Sequence, residues 1–191
     1  MVEEDLFSSW ESVTEIDLFK ISGKVGANVT GVSVGGVEQS NSHYLVAFNS
    51  INQQNNYTYT SFELIGGDPS KRDIFVYAIN KDFDNDHQEV VKTTIAKYAH
   101  LKTMATTPTL VKVNENRFVV LWQEYTVNDL SLNGAGDVKY VELNGRGETD
   151  SAIKTAPNFL LSEVQPIVKD NKIIWYTIED KRKVLYVLEL N

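Results

Sequence analysis

The chain has 191 residues and a formal net charge of −8, from 18 Lys and Arg against 26 Asp and Glu. At 42% hydrophobic and 23% charged it has the composition of an ordinary globular domain, long enough to bury a core without disulfides or metals. The scarcity and scatter of Lys and Arg exclude nucleic acid and anionic membrane surfaces as partners. No apolar run reaches the roughly 20 residues of a spanning helix, which argues against membrane insertion. The absence of cysteine excludes disulfides, thiolate catalysis and Cys-ligated metals.

The chain opens acidic, Met1-Val2-Glu3-Glu4-Asp5, unlike the basic-then-apolar start of a secretory signal, so the expectation is either a cytoplasmic protein or one whose leader has been removed. Glu11 to Ile21 is strand-like but has no evident partner nearby. Three repeated designs follow. The first pairs His43-Tyr44-Leu45-Val46-Ala47-Phe48-Asn49 with Ile74-Phe75-Val76-Tyr77-Ala78-Ile79-Asn80. The second pairs Arg117-Phe118-Val119-Val120-Leu121-Trp122-Gln123 with Val138-Lys139-Tyr140-Val141-Glu142-Leu143-Asn144. The third pairs Lys172-Ile173-Ile174-Trp175-Tyr176-Thr177 with Val184-Leu185-Tyr186-Val187-Leu188-Glu189-Leu190-Asn191. A lead-in strand is expected before each: Asn28 to Val34 with Gly35-Gly36 after it, Pro108 to Lys112, and Gln165 to Lys169. A fourth strand is expected after two of them, Glu89 to Tyr98 and Ser151 to Thr155.

These runs are short, rich in Val, Ile, Tyr, Phe and Trp, and bounded by Asn, Asp, Gly and Pro, which reads as strand. Several are apolar on both faces, as in a sheet packed between two others. Four short strands recurring at about 50 residues are the repeat signature of a β-propeller blade. The expectation is a single all-β domain, propeller-like, of about three four-stranded antiparallel units spanning 28–98, 107–155 and 163–191. Residues 11–21 would close the last unit. The alternative is a β-sandwich. Three blades fall short of the usual four to eight. A homodimer closing the ring, a longer parent protein, or an extra blade would each account for that.

The stretch Pro108-Thr109-Leu110-Val111-Lys112, Phe118 to Glu124, Val138 to Gly147, Gln165 to Val168 and Lys172 to Tyr176 resembles propeller-type repeats of uncharacterised bacterial secreted and cell-surface proteins. The likeness covers Thr107 to Asn191 well and Val29 to Asn80 more loosely. It implies a secreted or cell-surface setting and carries over no catalytic residue. The function expected is a non-catalytic extracytoplasmic binding or assembly module with a protein or carbohydrate partner. The alternative is a carbohydrate-active enzyme domain, or a fragment of one, on a glycoside hydrolase-like propeller.

Candidate sites are few. Asp82, Asp84 and Asp86 alternate in a loop and can converge on one Ca²⁺, which takes six to eight oxygens; a solvated acidic turn is the competing reading. Apart from that ion no cofactor is expected. His43, His87 and His100 are too scattered for zinc. Asn55, Asn56, Tyr57 and Tyr59 lie in Asn52 to Thr60, within the longest loop, and combine adaptable polar groups with aromatic rings suited to recognition. Trp10 is a further contact candidate. Glycoside hydrolysis would need two facing carboxylates; Glu124, Glu142, Glu163 and Glu179 are available, and the sequence does not pair them. Gly134-Ala135-Gly136 and Gly145-Arg146-Gly147 read as hairpin glycines. Alternation places Phe118, Val120 and Trp122 on one strand face and Ile173 with Trp175 on another, so both tryptophans are expected in the core.

Overall fold

The computed structural model describes residues 32–50, 58–59, 64–65, 72–82, 89–98, 102–128, 131–179 and 181–190. All regular structure among them is β. Sheet I is a four-stranded antiparallel meander, β1 (Ser33–Gln39), β2 (His43–Ser50), β5 (Asp73–Asn80) and β6 (Val90–Ala96). Between β2 and β5 a short pair forms from β3 (Thr58–Tyr59) and β4 (Leu64–Ile65), within the segment read as a long loop. Sheet II runs β8 (Thr109–Asn114), β9 (Arg117–Asn128), β10 (Ser131–Asn144) and β11 (Lys154–Ala156), and β7 (Thr103–Ala105) extends the β8 edge along the far half of β9. Sheet III is β12 (Ile167–Lys169), β13 (Lys172–Glu179) and β14 (Arg182–Glu189).

Among the described residues the three sheets stack face to face in the order I, II, III, with one core on each side of sheet II. Leu45, Ala47, Ile74, Val76 and Ala78 of sheet I meet Leu110, Phe118, Val120, Trp122 and Val141 of sheet II. The opposite face of sheet II, with Val111, Val119, Leu121 and Val138, meets Ile173, Trp175, Leu188 and Leu190 beside sheet III. The period-two alternation of β9 thus serves two cores at once, which explains its unbroken apolar run. Both tryptophan rings are buried, Trp122 at 0% exposure and Trp175 at 3%. Phe159 stacks on Tyr186 at 4.9 Å between centroids and meets Trp175 edge-on at 5.7 Å, filling the second core with aromatic surface.

The turns follow local chemistry. Asp170 and Asn171 both take positive φ (50° and 60°), the left-handed pair that a two-residue hairpin of this twist requires. Two glycine pairs lie elsewhere than the sequence suggested. Gly35-Gly36 sit inside β1, at a bulge, rather than after a lead-in strand. A Cβ on Gly35 would come within 1.5 Å of the Pro108 carbonyl oxygen, so the glycine lets β1 pass against the start of β8. Gly134 and Gly136 belong to β10, near its register shifts against β9, and a Cβ on Gly136 would lie 2.7 Å from the Glu124 carbonyl oxygen. Gly145-Arg146 do form the turn after β10. The strand expected over Ser151 to Thr155 is displaced to Lys154–Ala156 and has three residues, because Ser151 instead caps Glu142 N–H with its hydroxyl at 3.2 Å.

Sheet III differs from the others in two respects. No fourth strand pairs with it among the described residues, and its outer face is apolar and open. Ile167, Ile174 and Val187 form one cross-strand row and Tyr176 with Leu185 the next; Ile178 and Leu185 are each 66% exposed. Residues 11–21, expected to close this sheet, lie outside the described residues.

Candidate ligand cleft

At one end of the stack all three sheets contribute to an open cleft of about 800 Å³. Its lining comes from the start of β1 (Val34, Gly35), the bend between β7 and β8 (Thr106 to Thr109), Tyr125 near the end of β9, the segment Leu161 to Gln165, and Tyr176, Thr177 and Ile178 in β13. The bend has a local cause. Pro108 has no N–H to offer a ladder, and Thr106 takes over: its N–H donates to the Gln123 carbonyl at 2.9 Å and its hydroxyl accepts from Gln123 N–H at 3.0 Å.

Gln123 also fixes the opposite wall. Its side chain is buried (1% exposed). Its amide nitrogen donates to the carbonyls of Gly136 (2.9 Å) and Phe159 (3.3 Å), and its oxygen accepts from Leu161 N–H at 2.9 Å. Trp175 Nε1 donates to the Leu160 carbonyl at 2.8 Å, and Gln165 Nε2 to the Leu110 carbonyl at 2.8 Å. Residues 159–165 therefore have no regular structure yet are tied at four points, which presents Ser162, Glu163 and Gln165 to the cleft. The described lining contains no Lys, Arg or His. It offers four Thr and one Ser hydroxyl, one amide, one carboxylate and two tyrosine rings.

From the core between sheets I and II a polar chain runs outward. Trp122 Nε1 donates to the Tyr98 hydroxyl at 2.6 Å, and that hydroxyl donates to Glu124 Oε1 at 2.6 Å. Lys139 Nζ lies 3.7 Å from the other Glu124 oxygen. Burial, with the Glu124 hydrogen bond adding to it, pushes the Tyr98 hydroxyl far above its ordinary pKa, so it remains a donor throughout the working pH range.

Glu142 and Glu179 are engaged structurally. Burial opposes ionisation of Glu142, but hydrogen bonds from Lys154 (2.9 Å) and Arg117 (2.8 Å from Nε) outweigh it and hold the carboxyl below the usual range. Arg117 also donates to Asn171 Oδ1 at 2.7 Å, joining sheets II and III. Glu179 accepts from the Tyr186 hydroxyl at 3.1 Å. Glu163 is exposed and lines the cleft.

Of the residues singled out in the sequence, Tyr59 falls in β3, while Asn55, Asn56 and Tyr57 lie outside the described residues, as does Trp10. Asp82 is exposed in the turn after β5, its N–H donating to Asn80 Oδ1 at 3.1 Å; Asp84 and Asp86 lie outside the described residues. Among the described residues no three His, Asp or Glu side chains converge as a metal site would require. His43 is buried, its Nδ1 2.7 Å from the Ser42 hydroxyl; His87 and His100 lie outside. Sequence reasoning did not assemble the cleft because its lining is drawn from all three repeats. The one available signal was Gln123, a polar residue ending a fully apolar run.

No family model, curated protein or solved structure matches the chain.

Proposed function

We propose that the chain is a non-catalytic binding module of a secreted or cell-surface protein, built on a propeller-like repeat, and that the cleft takes a neutral carbohydrate. The observation that carries this reading is the cleft's lining. Hydroxyl and amide groups alternate with two tyrosine rings and no cation, a combination suited to a polyhydroxylated ligand and unsuited to an anionic one. Ring faces stack on sugar C–H surfaces, while fixed hydroxyls and amides set orientation. The propeller-like reading draws support from the way consecutive meanders place their first strands together: β1 lies against β8, and β12 against β8. Three sheets fall below the usual four to eight, so the ring would be completed by a second copy, and the open outer face of sheet III is the surface such a copy would cover.

The test is a panel of neutral and acidic oligosaccharides scored by calorimetry or ligand-observed NMR, with native mass measured alongside. Binding of a neutral glycan that Tyr125→Ala and Thr177→Val each weaken supports the reading. Preference for acidic glycans, or equal binding by both variants, overturns it. A hydrolase is disfavoured by the single carboxylate, Glu163, in the described lining, since glycosidases ordinarily use two.

A further inference from the structure

The three repeats pack head to tail. Each carries one ring at the same place in its first long strand. Phe48, Trp122 and Trp175 pair with Phe75, Lys139 and Tyr186, each the fifth residue before the Asn that ends its run, Asn80, Asn144 or Asn191. The residue before each ring, Ala47, Leu121 or Ile174, belongs to the opposite face of its strand. Ala47 of sheet I shares a core with Trp122 of sheet II, and Leu121 of sheet II shares one with Trp175 of sheet III. The face with the aliphatic residue is thus covered, twice in succession, by the ring-bearing face of the next sheet. The series leaves two faces over: the Ile174 face of sheet III and the Phe48 face of sheet I.

We infer that a second copy of this chain seats the Phe48 face of its sheet I on the Ile174 face of sheet III, with the reverse contact forming at the same time. On the sheet III face Ile167, Tyr176, Ile178, Leu185 and Val187 are 64%, 47%, 66%, 66% and 40% exposed. Together they present roughly 500 Å² of apolar surface, near the upper end for the largest patch on an ordinary monomer. A groove of about 490 Å³ opens there, lined by Tyr176, Ile178, Lys183, Val184 and Leu185. Charge is confined to the ends of this face, where Lys172 pairs with Glu189 at 2.6 Å and Lys183 lies opposite Ile178, the apolar centre and polar rim of an interface. On sheet I, Val34 and Val37 share the Phe48 face through their pairing with Phe48 and Val46, and are 60% and 61% exposed. Two seams joining four faces of this size bury about 2,000 Å², against about 1,200–2,000 Å² for a stable interface. A head-to-tail contact builds either a closed ring or a filament, and two copies close a ring of six sheets, inside the usual range of four to eight. Val34, Tyr176 and Ile178 also line the cleft, so the seam borders it and the second copy supplies the wall on its open side. The inference rests on the propeller-like part of the reading above and not on its ligand.

Sedimentation velocity of the full chain at about 50 µM should give twice the chain mass of 21.5 kDa. Leu185→Arg on sheet III and Val37→Arg on sheet I, both at exposed positions, should each weaken the dimer about tenfold or more. A monomer or an open-ended filament overturns the inference. So does a Val37→Arg chain that stays dimeric while Leu185→Arg does not, since sheet III would then pair with its own copy. A second readout needs no disruptive variant, because the chain has no cysteine. Maleimide labelling of Val187→Cys should slow about tenfold as protein concentration rises through the dimer transition, while Asn116→Cys, exposed in the turn after β8, labels at a constant rate. Equal behaviour of the two cysteines overturns it. A dimer that binds no glycan leaves this inference standing and refutes only the ligand reading; a glycan-binding monomer does the reverse.

Discussion

Replacing Tyr98 with Phe removes one oxygen and breaks the chain linking Trp122 to Glu124. Two effects follow from the geometry. The indole N–H of Trp122, at 0% exposure, loses its acceptor at 2.6 Å, and a buried orphan donor costs about 1–3 kcal/mol. The hydrogen bond to Glu124 is charge-assisted, but Glu124 is partly solvated and has Lys139 nearby, so its loss contributes about 1 kcal/mol rather than the full range for such bonds. The total is about 2–4 kcal/mol, a large share of a typical stability of 5–15 kcal/mol. With a urea m-value of about 2 kcal/mol/M, the unfolding midpoint should fall by about 1–2 M. Trp122→Phe supplies the control. In that background there is no indole N–H to orphan, so Tyr98→Phe should cost about 1–2 kcal/mol less than in the parent. Urea unfolding of the four proteins, followed by circular dichroism, measures both quantities. A single-variant cost under about 0.5 kcal/mol, or no coupling in the cycle, would refute the buried relay.

Gly35→Ala should lower stability by about 3 kcal/mol, the upper end for overpacking, because the atom struck is the Pro108 backbone carbonyl rather than a flexible side chain; thermal unfolding measures it, and a neutral outcome would contradict the contact of β1 with β8. Gln123→Leu should cost about 2–4 kcal/mol by leaving Leu161 N–H and two carbonyls without their partner, with faster exchange at 159–162 than in β9 as its signature. Trp175→Ala should cost about 3–5 kcal/mol; near-native stability with loss of glycan binding would move this ring from the core to the ligand site. Acid should destabilise in two stages. His43 is held below its usual pKa, first by burial and then by Arg146, so its contribution is present above pH 6.5 and is lost as pH falls through the folded-state value. Glu142 is likewise depressed, and its contribution is lost as pH falls below 4.5. Stability measured against pH should lose the upper stage in His43→Asn and the lower one in Glu142→Gln.

The strands were legible because their chemistry is local. Each aromatic-ended run of Val, Ile and Leu became a central strand, and the alternation in Phe118-Val119-Val120-Leu121-Trp122 already implied two cores. The bends were not legible. Gly35-Gly36 read as a terminator because a strand interior seldom carries two glycines, and the reason they stay is a carbonyl from Pro108, 73 residues away in sequence. Ser151 looked like the start of a strand, yet its hydroxyl was drawn to Glu142 N–H. The cleft was hidden for a related reason. Thr107, Tyr125, Glu163 and Tyr176 carry no shared motif, and only the stacking of three sheets brings them to one surface. Gln123 was visible as a polar residue after an apolar run, but its hydrogen bonds to 159–161 depend on a segment without periodicity.

Sheet II is covered on both sides, and this affects how the chain can come apart. Removing sheet I exposes Phe118, Val120 and Trp122; removing sheet III exposes Val119 and Leu121. Neither half of a chain cut near residue 101 or residue 160 retains a solvent-compatible central layer, so the two fragments should be insoluble separately and recover only when mixed. Within the intact chain, β9 amides should exchange only through global opening, while sheet III, with one face already bare, should open first.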